Sequence, residues 1–309
     1  MKVLYYNNCW FTNVGESFID IGAMNIIHNI WKNARIACFS DMSDYYSQSL
    51  QKKNRNFFCY SKFDCPSIKF HELLECDYVV MAGMFASESY LESPGKKMVD
   101  RLVENGAKLI ILGLGSERYT TRERSVLSKY YENIRPELIV TRDEKTYDAY
   151  KNCADILPGL DCAFWVKNTF DPRGFFKKKY NVHAFNRSIE PSELALEKID
   201  VVRPWHMQWR VKLNNLKENY LISDTPFDYL TVYANANRVY TDLVHATIAS
   251  LQYGTPVRYY YVDERSNAFD SVKSLVKNDD EFMHVDEIAL EQQKLAIEEE
   301  IAKKIRCYE

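Results

Sequence analysis

The chain has 309 residues, of which 46% are hydrophobic and 27% charged, and its formal net charge is −3. A chain of this length commonly folds as two domains, each large enough to bury a core. Because it lacks a basic excess, a general nucleic-acid-binding protein is excluded and no nucleic-acid partner is expected.

The cysteines indicate a reducing compartment. Eight are scattered along the chain without any Cys-x-x-Cys pair, which argues against a zinc ribbon or a thioredoxin-like site. Their apolar surroundings are typical of reduced, buried thiols. No signal peptide is recognised at Met1–Tyr6, and the longest apolar runs, near Tyr78–Ala86 and Leu109–Leu114, are too short to span a bilayer. We therefore expect a cytoplasmic protein with reduced cysteines.

Apolar runs alternate with helical patterns through the first half of the chain. Strands are predicted at Val3–Tyr6, Asp77–Gly83, Lys108–Gly113, Glu137–Thr141 and Asp155–Pro158. Helices are predicted at Ser17–Trp31, Lys96–Glu104, Arg122–Asn133 and Glu144–Lys151. This alternation predicts an α/β fold, with a parallel sheet covered by helices on both faces.

A second, smaller α/β domain is predicted after a crossing at about residues 162–180. Its strands are expected at Asn181–Phe185, Lys198–Val202, Arg238–Thr241 and Val257–Tyr261. The last segment, Asp286–Cys307, carries an apolar stripe at helical spacing and is predicted to pack on the body. The expected division is residues 1–165 and 166–285 for the two domains, and 286–309 for the C-terminal helix.

Residues 237–257 contain the clearest candidate site. The pattern predicts a strand, a tight turn, a helix with Asp242 as its N-cap, and a stop at Gly254. His245 then lies in the first turn of a helix at the carboxyl end of a strand, where open parallel sheets bind ligands and where anions are favoured. A histidine can supply a hydrogen bond or a proton there. A histidine that caps or packs locally fits the same spacing.

This segment resembles the C-terminal motif of the polysaccharide pyruvyl transferase family. That motif is a strand, then Arg-Leu-His, a helix of small and apolar residues, and Gly-x-Pro-Val. His245 and Gly254-Thr255-Pro256-Val257 match it, but Leu243 stands where the family has an arginine. The family arginine is expected to bind the acidic groups of the donor.

Other segments extend the resemblance from Tyr5 to Val257. Asn13-Val14-Gly15-Glu16 is similar to an N-terminal Asn-x-Gly-Asp pattern, with glutamate for aspartate. Asp77–Gly83 resembles a strand that ends in glycines, and Leu112–Ser116 resembles a Gly-x-Gly turn. Glycines of this kind allow a ligand to approach the backbone closely.

Two further matches place charged side chains near the expected cleft. Leu138–Glu144 resembles a strand followed by Arg-Asp, which places Arg142 at the carboxyl end of a strand. Arginine is suited to two-point binding of a carboxylate or phosphate, although a solvent pair with Asp143 or Glu144 is the alternative. Asp161, in a segment similar to the family's Pro-Asp-x-Ala-Phe, either orients site residues or caps the inter-domain loop.

The resemblance implies two Rossmann-like domains facing across a cleft, as in GT-B glycosyltransferases. It implies transfer of a pyruvyl group from phosphoenolpyruvate onto a sugar of a surface polysaccharide or its precursor. His245 is expected to be the general acid or a donor ligand, and Arg142 to hold phosphate or carboxylate. The other expected donor-binding residues are Asn13, Gly15, Glu16, Gly83, Gly115 and Asp242. The six histidines show no His-x-x-x-His spacing, so no metal is expected. No cofactor is expected either.

Leu243 leaves the donor open. Either another cation replaces the family arginine, with Arg118, Arg203, Arg210 and Arg258 as candidates, or the donor differs. A GT-B glycosyltransferase that uses a nucleotide sugar is one alternative. A non-catalytic sugar-binding relative is the other.

The saccharide acceptor is expected at an unusual segment, Arg203–Arg210, with the sequence Arg-Pro-Trp-His-Met-Gln-Trp-Arg. Tryptophan faces and cations can hold an acidic sugar or its diphosphate handle. The residues predicted to bind the acceptor are Arg203, Trp205, His206 and Arg210. The alternative is an aromatic cluster that anchors a loop to the core. A lipid-linked acceptor would bring the protein to a membrane surface as a peripheral protein.

Overall fold

A computed structural model describes most of the chain and gives the bounds of its elements. The described residues are 1–7, 13–39, 75–83, 86–116, 118–175, 179–196, 199–207, 218–223, 225–260, 264–279 and 281–306. The strands are β1 Lys2–Tyr6, β2 Arg35–Phe39, β3 Tyr78–Ala82, β4 Lys108–Leu114, β5 Leu138–Thr141, β6 Ile156–Pro158, β7 Tyr180–Ala184, β8 Asp200–Pro204, β9 Tyr220–Leu221, β10 Arg238–Thr241, β11 Val257–Tyr259, β12 Val276–Asp279 and β13 Phe282–Val285. The α-helices are α1 Val14–Ile30, α2 Glu88–Leu91, α3 Pro94–Glu104, α4 Thr121–Ile134, α5 Glu144–Tyr150, α6 Val166–Thr169, α7 Pro226–Asn235, α8 Val244–Gln252 and α9 Glu287–Arg306. Short 3₁₀ helices lie at Cys162–Trp165, Ser192–Leu196 and Glu264–Val272.

The first sheet has the strand order β2-β1-β3-β4-β5-β6, and every neighbouring pair is parallel. All five residues of β3 are buried. Alternate β3 residues enter two separate apolar clusters, with Tyr78, Val80 and Ala82 in one and Val79 and Met81 in the other. Since successive strand residues point to opposite faces, both faces of the sheet are covered. This explains why the strand reads as one continuous apolar run.

The second sheet has the order β12-β13-β11-β10-β7-β8-β9. The strands from β7 to β11 pair in parallel, whereas β12 and β13 form an antiparallel hairpin at one edge. The sequence analysis did not predict this hairpin or β2. The predicted strand Lys198–Val202 is shifted to Asp200–Pro204, and residues 197–198 lie outside the described chain.

Polar groups of helix α9 form hydrogen bonds with residues of the body. Lys294 is 1% exposed and donates to the carbonyl oxygen of Phe164 at 3.2 Å and to Gln252 Oε1 at 3.4 Å. Trp165 Nε1 donates to Glu298 Oε1 at 2.6 Å. The helix thereby holds the junction between the two sheets. The exact domain limits at 165 and 285 stay a prediction.

Two sequence-based expectations can be followed only over part of the chain. Cys38, Cys76, Cys153 and Cys162 are free thiols, but of these four only Cys162 is buried, against the expectation. The other four cysteines lie outside the described residues. Within the same ranges, none of the helices is both long enough and apolar enough to cross a membrane.

Candidate functional site

The carboxyl ends of strands from both sheets open onto one small cavity. Its volume is about 40 Å³. The lining residues are Asn13, Glu16, Ile19, Arg142, Arg187, His206, Met207, Leu243, Val244 and His245. They come from the start of α1, from the segments that follow β5, β7 and β8, and from the start of α8. The cavity therefore occupies the edge at which parallel sheets bind ligands.

Asn13 fixes the start of α1 at the cavity wall. Its side chain accepts a hydrogen bond from the Gly15 N–H at 3.2 Å, and its Nδ2 donates to Glu16 Oε1 at 3.0 Å. The N–H of Val14 donates to the carbonyl oxygen of His206 at 3.1 Å. This cap begins the helix three residues before the predicted Ser17 and ties it to the segment that leaves β8.

Gly15 gives His245 room to lie against α1. A Cβ atom at Gly15 would come within 2.5 Å of His245 Nδ1, which is closer than carbon and nitrogen tolerate. The two residues are 230 positions apart in sequence, as their numbers show, and they meet only because α1 and α8 begin at the same cavity. The sequence analysis expects Gly15 to let a ligand approach the backbone closely; in the structure the missing side chain also gives clearance to the histidine ring.

Replacing Gly15 with alanine should displace the His245 ring and lower activity more than stability. Alanine favours the helical backbone by roughly 1 kcal/mol relative to glycine, so the fold has no backbone reason to fail. Activity is measured as kcat/KM and stability as the thermal midpoint, each for wild type and for Gly15→Ala. In the His245→Ala background the same change should have no further effect on kcat/KM, because the clashing ring is gone. An equal loss in both backgrounds would show that Gly15 acts independently of His245.

Arg142 is buried at the end of β5, with a side chain that lies over Gly115. It is 4% exposed, and a Cβ atom at Gly115 would approach its Nε to 2.2 Å. Its Nη1 donates to Asp161 Oδ2 at 3.4 Å, and its Nε lies 3.7 Å from Asp143 Oδ2. The alternative of a solvent-exposed pair is therefore wrong, because both partners are buried with the guanidinium.

The Asp161 carboxylate lies between Arg142 and His245. Its Oδ1 accepts from the Ala163 N–H at 2.9 Å, which caps the 3₁₀ helix Cys162–Trp165. Its Oδ2 contacts Arg142 and lies 3.8 Å from His245 Nε2. Burial by itself raises the pKa of Asp161, but His245, Arg142 and the Ala163 N–H together outweigh it, so the pKa is lowered. Asp161 thus both orients site residues and caps the loop.

His245 combines partial exposure with an adjacent negative charge. Its side chain is 15% exposed, and its Nε2 has no hydrogen-bond partner among the described residues. Its Nε2 lies 3.8 Å from Asp161 Oδ2, which is beyond hydrogen-bond distance. A histidine in this position can supply a hydrogen bond or a proton to a ligand in the cavity.

Comparison with known proteins places the chain among transferases. A model of the polysaccharide pyruvyl transferase family matches residues 13–264. The chain belongs to the polysaccharide pyruvyl transferase family. None of the curated proteins matches it.

Solved structures share the fold at low sequence identity. UDP-N-acetylglucosamine 2-epimerase from Rickettsia bellii is 13% identical, with a TM-score of 0.58 over 100% of this chain and 96% of that chain. MnaA from S. aureus, in its UDP co-structure, is 13% identical, with a TM-score of 0.56 over 89% and 87%. An uncharacterised protein of Klebsiella pneumoniae is 17% identical, with a TM-score of 0.52 over 89% and 88%. The predicted fold is confirmed as two Rossmann-like α/β domains in a GT-B-like arrangement.

At the position of the family arginine, Leu243 forms an apolar part of the cavity wall. It is also the N-cap of α8, in place of the predicted Asp242, and no side chain caps that helix by a hydrogen bond. The Asp242 carboxylate is occupied elsewhere, because it accepts from the N–H groups of Asn186, Arg187 and Ser188 at 3.0, 2.9 and 2.6 Å. The positive end of α8 is thus left to the cavity.

The glycines and Asp242 have different positions relative to the cavity. Gly15 and Gly115 lie directly behind His245 and Arg142. Gly83 and Asp242 are not among the lining residues. Gly83 adopts a φ of 110°, and its N–H donates to the carbonyl oxygen of Leu112 at 3.0 Å. Its described role is a turn after β3.

Residues 203–207 are the described part of the segment predicted to bind the acceptor. Contacts within the protein hold them in place. Arg203 forms two hydrogen bonds of 3.0 Å with Glu190, and Trp205 Nε1 donates to the carbonyl oxygen of Met207 at 2.6 Å. His206 lies 2.6 Å from the Tyr233 hydroxyl. Burial and then the charge of His245 lower the pKa of His206 to about 3, so its imidazole is neutral at physiological pH. These contacts favour the aromatic-anchor alternative, and Arg210 lies outside the described residues.

A second arginine lines the cavity, Arg187, which the sequence analysis did not select; its backbone N–H donates at 2.9 Å to Asp242, the residue before Leu243. Of the four replacement candidates, Arg258 pairs with Glu281 at 2.6 Å, Arg203 pairs with Glu190, and Arg118 is exposed and does not line the cavity. Arg210 is outside the described chain. The signal for Arg187 was present, since it follows β7 closely, just as Arg142 follows β5. Among the residues with known placement, no group of histidines, cysteines and carboxylates is arranged to hold a metal.

Proposed function

We propose that the protein transfers a pyruvyl group from phosphoenolpyruvate onto a sugar of a surface polysaccharide or its precursor. Family membership supports the reaction class. The observation that carries the proposal is the shared carboxylate of Asp161, which lies 3.4 Å from Arg142 and 3.8 Å from His245 at one inter-domain cavity. Arginine is suited to hold an anion and histidine to donate a proton, so this arrangement supports the proposal.

Phosphoenolpyruvate carries charges that are complementary to residues lining this cavity. It carries a phosphate and a carboxylate, and the cavity has Arg142, Arg187 and His245 in its lining. The amino ends of α1 and α8 add their positive dipole ends, with Asn13 and Val244 at the wall. Arg142 holds one anionic group by paired N–H donors. The negative charge of Asp161 reduces the net positive charge at the cavity, and its contact with Arg142 keeps the guanidinium aligned.

The reaction is ketal formation at the enol carbon. His245 delivers a proton to the methylene carbon, which becomes a methyl group, while the electron pair of the double bond forms the new C–H bond. An acceptor hydroxyl adds to the enol carbon, and the bond from that carbon to the phosphate oxygen breaks. A second hydroxyl of the same sugar completes the ketal. One of the two hydroxyl protons returns to His245, and the other leaves with the phosphate.

A nucleotide-sugar donor is the alternative that Leu243 keeps open. Leu243 is 5% exposed and supplies no charge where the family has an arginine. A glycosyltransferase would release a nucleoside diphosphate and add a hexosyl unit. A cytoplasmic site of action, with peripheral membrane attachment through a lipid-linked acceptor, belongs to the same proposal.

Product mass separates these reactions. The full chain should be incubated with phosphoenolpyruvate or with UDP-sugars and a panel of free and lipid-linked saccharides. We expect an acceptor heavier by one pyruvyl ketal, only with phosphoenolpyruvate, and no product with His245→Asn. A hexosyl-bearing product would contradict the pyruvyl transfer. Donor or acceptor binding without any product would indicate the non-catalytic relative.

A further inference from the structure

The turn Asn186–Ser188 is held in place by a buried carboxylate. Asp242 is 1% exposed. Besides the three backbone N–H groups, its Oδ2 accepts from Ser188 Oγ at 3.0 Å. A carboxylate that accepts several N–H donors fixes the backbone that supplies them. Asp242 therefore determines where the turn after β7 lies relative to the start of α8.

A second set of contacts fixes the same turn from the side of β8. Asn186 Nδ2 donates to the carbonyl oxygen of Pro204 at 3.2 Å, and its Oδ1 accepts from the His206 N–H at 2.6 Å. His206 in turn accepts the Val14 N–H at its carbonyl oxygen, at 3.1 Å. The turn is thus anchored to both α1 and α8. Its middle residue, Arg187, lines the cavity.

We propose that Arg187 binds an anionic group of the donor, and that Asp242 positions it for that role. Within the cavity lining, Arg142 already faces two carboxylates, Asp161 at 3.4 Å and Asp143 at 3.7 Å. A donor with two anionic groups needs a further cation, and Arg187 lines the cavity with its backbone N–H on the Asp242 carboxylate, next to Leu243. The identity of the donor rests on the proposed function. The binding of a phosphate-bearing ligand by Arg187 can be measured without turnover.

Calorimetric titration of the full chain with phosphoenolpyruvate, and separately with UDP, tests the binding role. Arg187→Ala should weaken the binding of the ligand about 10–100-fold, because it removes a charged hydrogen-bonding partner. Arg187→Lys should recover part of the affinity, because the charge remains while the planar fork is lost. The matched control is Arg238→Ala. Arg238 begins β10 at the opposite edge and lies 4.8 Å from the Phe282 ring, so its loss should leave affinity unchanged.

Asp242→Asn tests the positioning role. Asp242→Asn should weaken the binding of the same ligand in the wild-type background. It should have no further effect on affinity in the Arg187→Ala background, because the effects of residues that act through one another are not additive. A thermal midpoint recorded for each variant shows whether the fold is intact. Equal losses in both backgrounds would overturn the positioning role of Asp242.

The titrations also separate this inference from the proposed function. If UDP binds, phosphoenolpyruvate does not, and Arg187→Ala weakens UDP, the proposed donor is wrong and the role of Arg187 is supported. If Arg187→Ala binds every wild-type ligand with unchanged affinity, the role of Arg187 is overturned and the proposed function stands. If the wild-type protein binds neither ligand, both are overturned.

Discussion

His245→Asn should lower kcat by on the order of 10²–10⁴-fold, the loss expected when a positioned acid is removed. Asparagine keeps a polar side chain of similar size at the start of α8, so the fold should persist. The histidine is 15% exposed and lies beside the buried Asp161 carboxylate. Steady-state kinetics with phosphoenolpyruvate, together with the thermal midpoint, measures both properties.

His28→Asn is the matched control for this experiment. His28 is an exposed residue in the last turn of α1, away from the cavity. Its replacement should leave kcat and KM unchanged. Turnover of His245→Asn within a few-fold of wild type would show that His245 is not the acid.

Asp161→Asn should destabilise the protein by about 3–5 kcal/mol, the range found when one member of a buried ion pair is removed. The loss leaves the Arg142 guanidinium, 4% exposed, with Asp143 at 3.7 Å as its remaining carboxylate contact among the described residues. Urea unfolding at neutral pH measures the change. The asparagine oxygen can still cap Ala163, so the loss reports the charge.

The stability that the Asp161 charge contributes should decrease as the pH falls. The pKa of Asp161 is lowered in the folded protein, so the unfolded chain binds more protons as the pH falls. The advantage of wild type over Asp161→Asn should be complete above the ordinary aspartate range and disappear as the pH falls through the lowered pKa. Adding Arg142→Gln to Asp161→Asn should recover part of the lost stability, because the buried guanidinium that Asp161 compensates is removed. Additive losses in the double variant would contradict the buried pair.

The sheet strands and the two main site residues could be predicted because they depend on local patterns. Parallel strands covered on both faces are continuous apolar runs, and β3, β4, β5 and β10 were found in that way. Arg142 and His245 could be selected because they follow β5 and β10 closely in segments that resemble the family's motifs, and parallel strands place their carboxyl ends at one edge. The same rule applied after β7 would have selected Arg187.

The remaining features depend on contacts between distant parts of the chain. Asp242 has the sequence context of an N-cap, yet the turn Asn186–Ser188 supplies three N–H donors that no local pattern reveals. Trp205 and His206 have the residue types of a sugar platform, but Met207 and Tyr233 satisfy their polar groups. The clearance that Gly15 gives His245 likewise exists only after the domains meet.

The fate of the enol carbon of phosphoenolpyruvate tests the central claim most directly. With that carbon labelled by ¹³C, the wild-type protein and an acceptor saccharide should give a nuclear magnetic resonance signal of a ketal carbon bound to two sugar oxygens. One phosphate should appear for each ketal formed. Unchanged labelled donor in the presence of an acceptor that the protein glycosylates from a UDP-sugar would contradict pyruvyl transfer at this site.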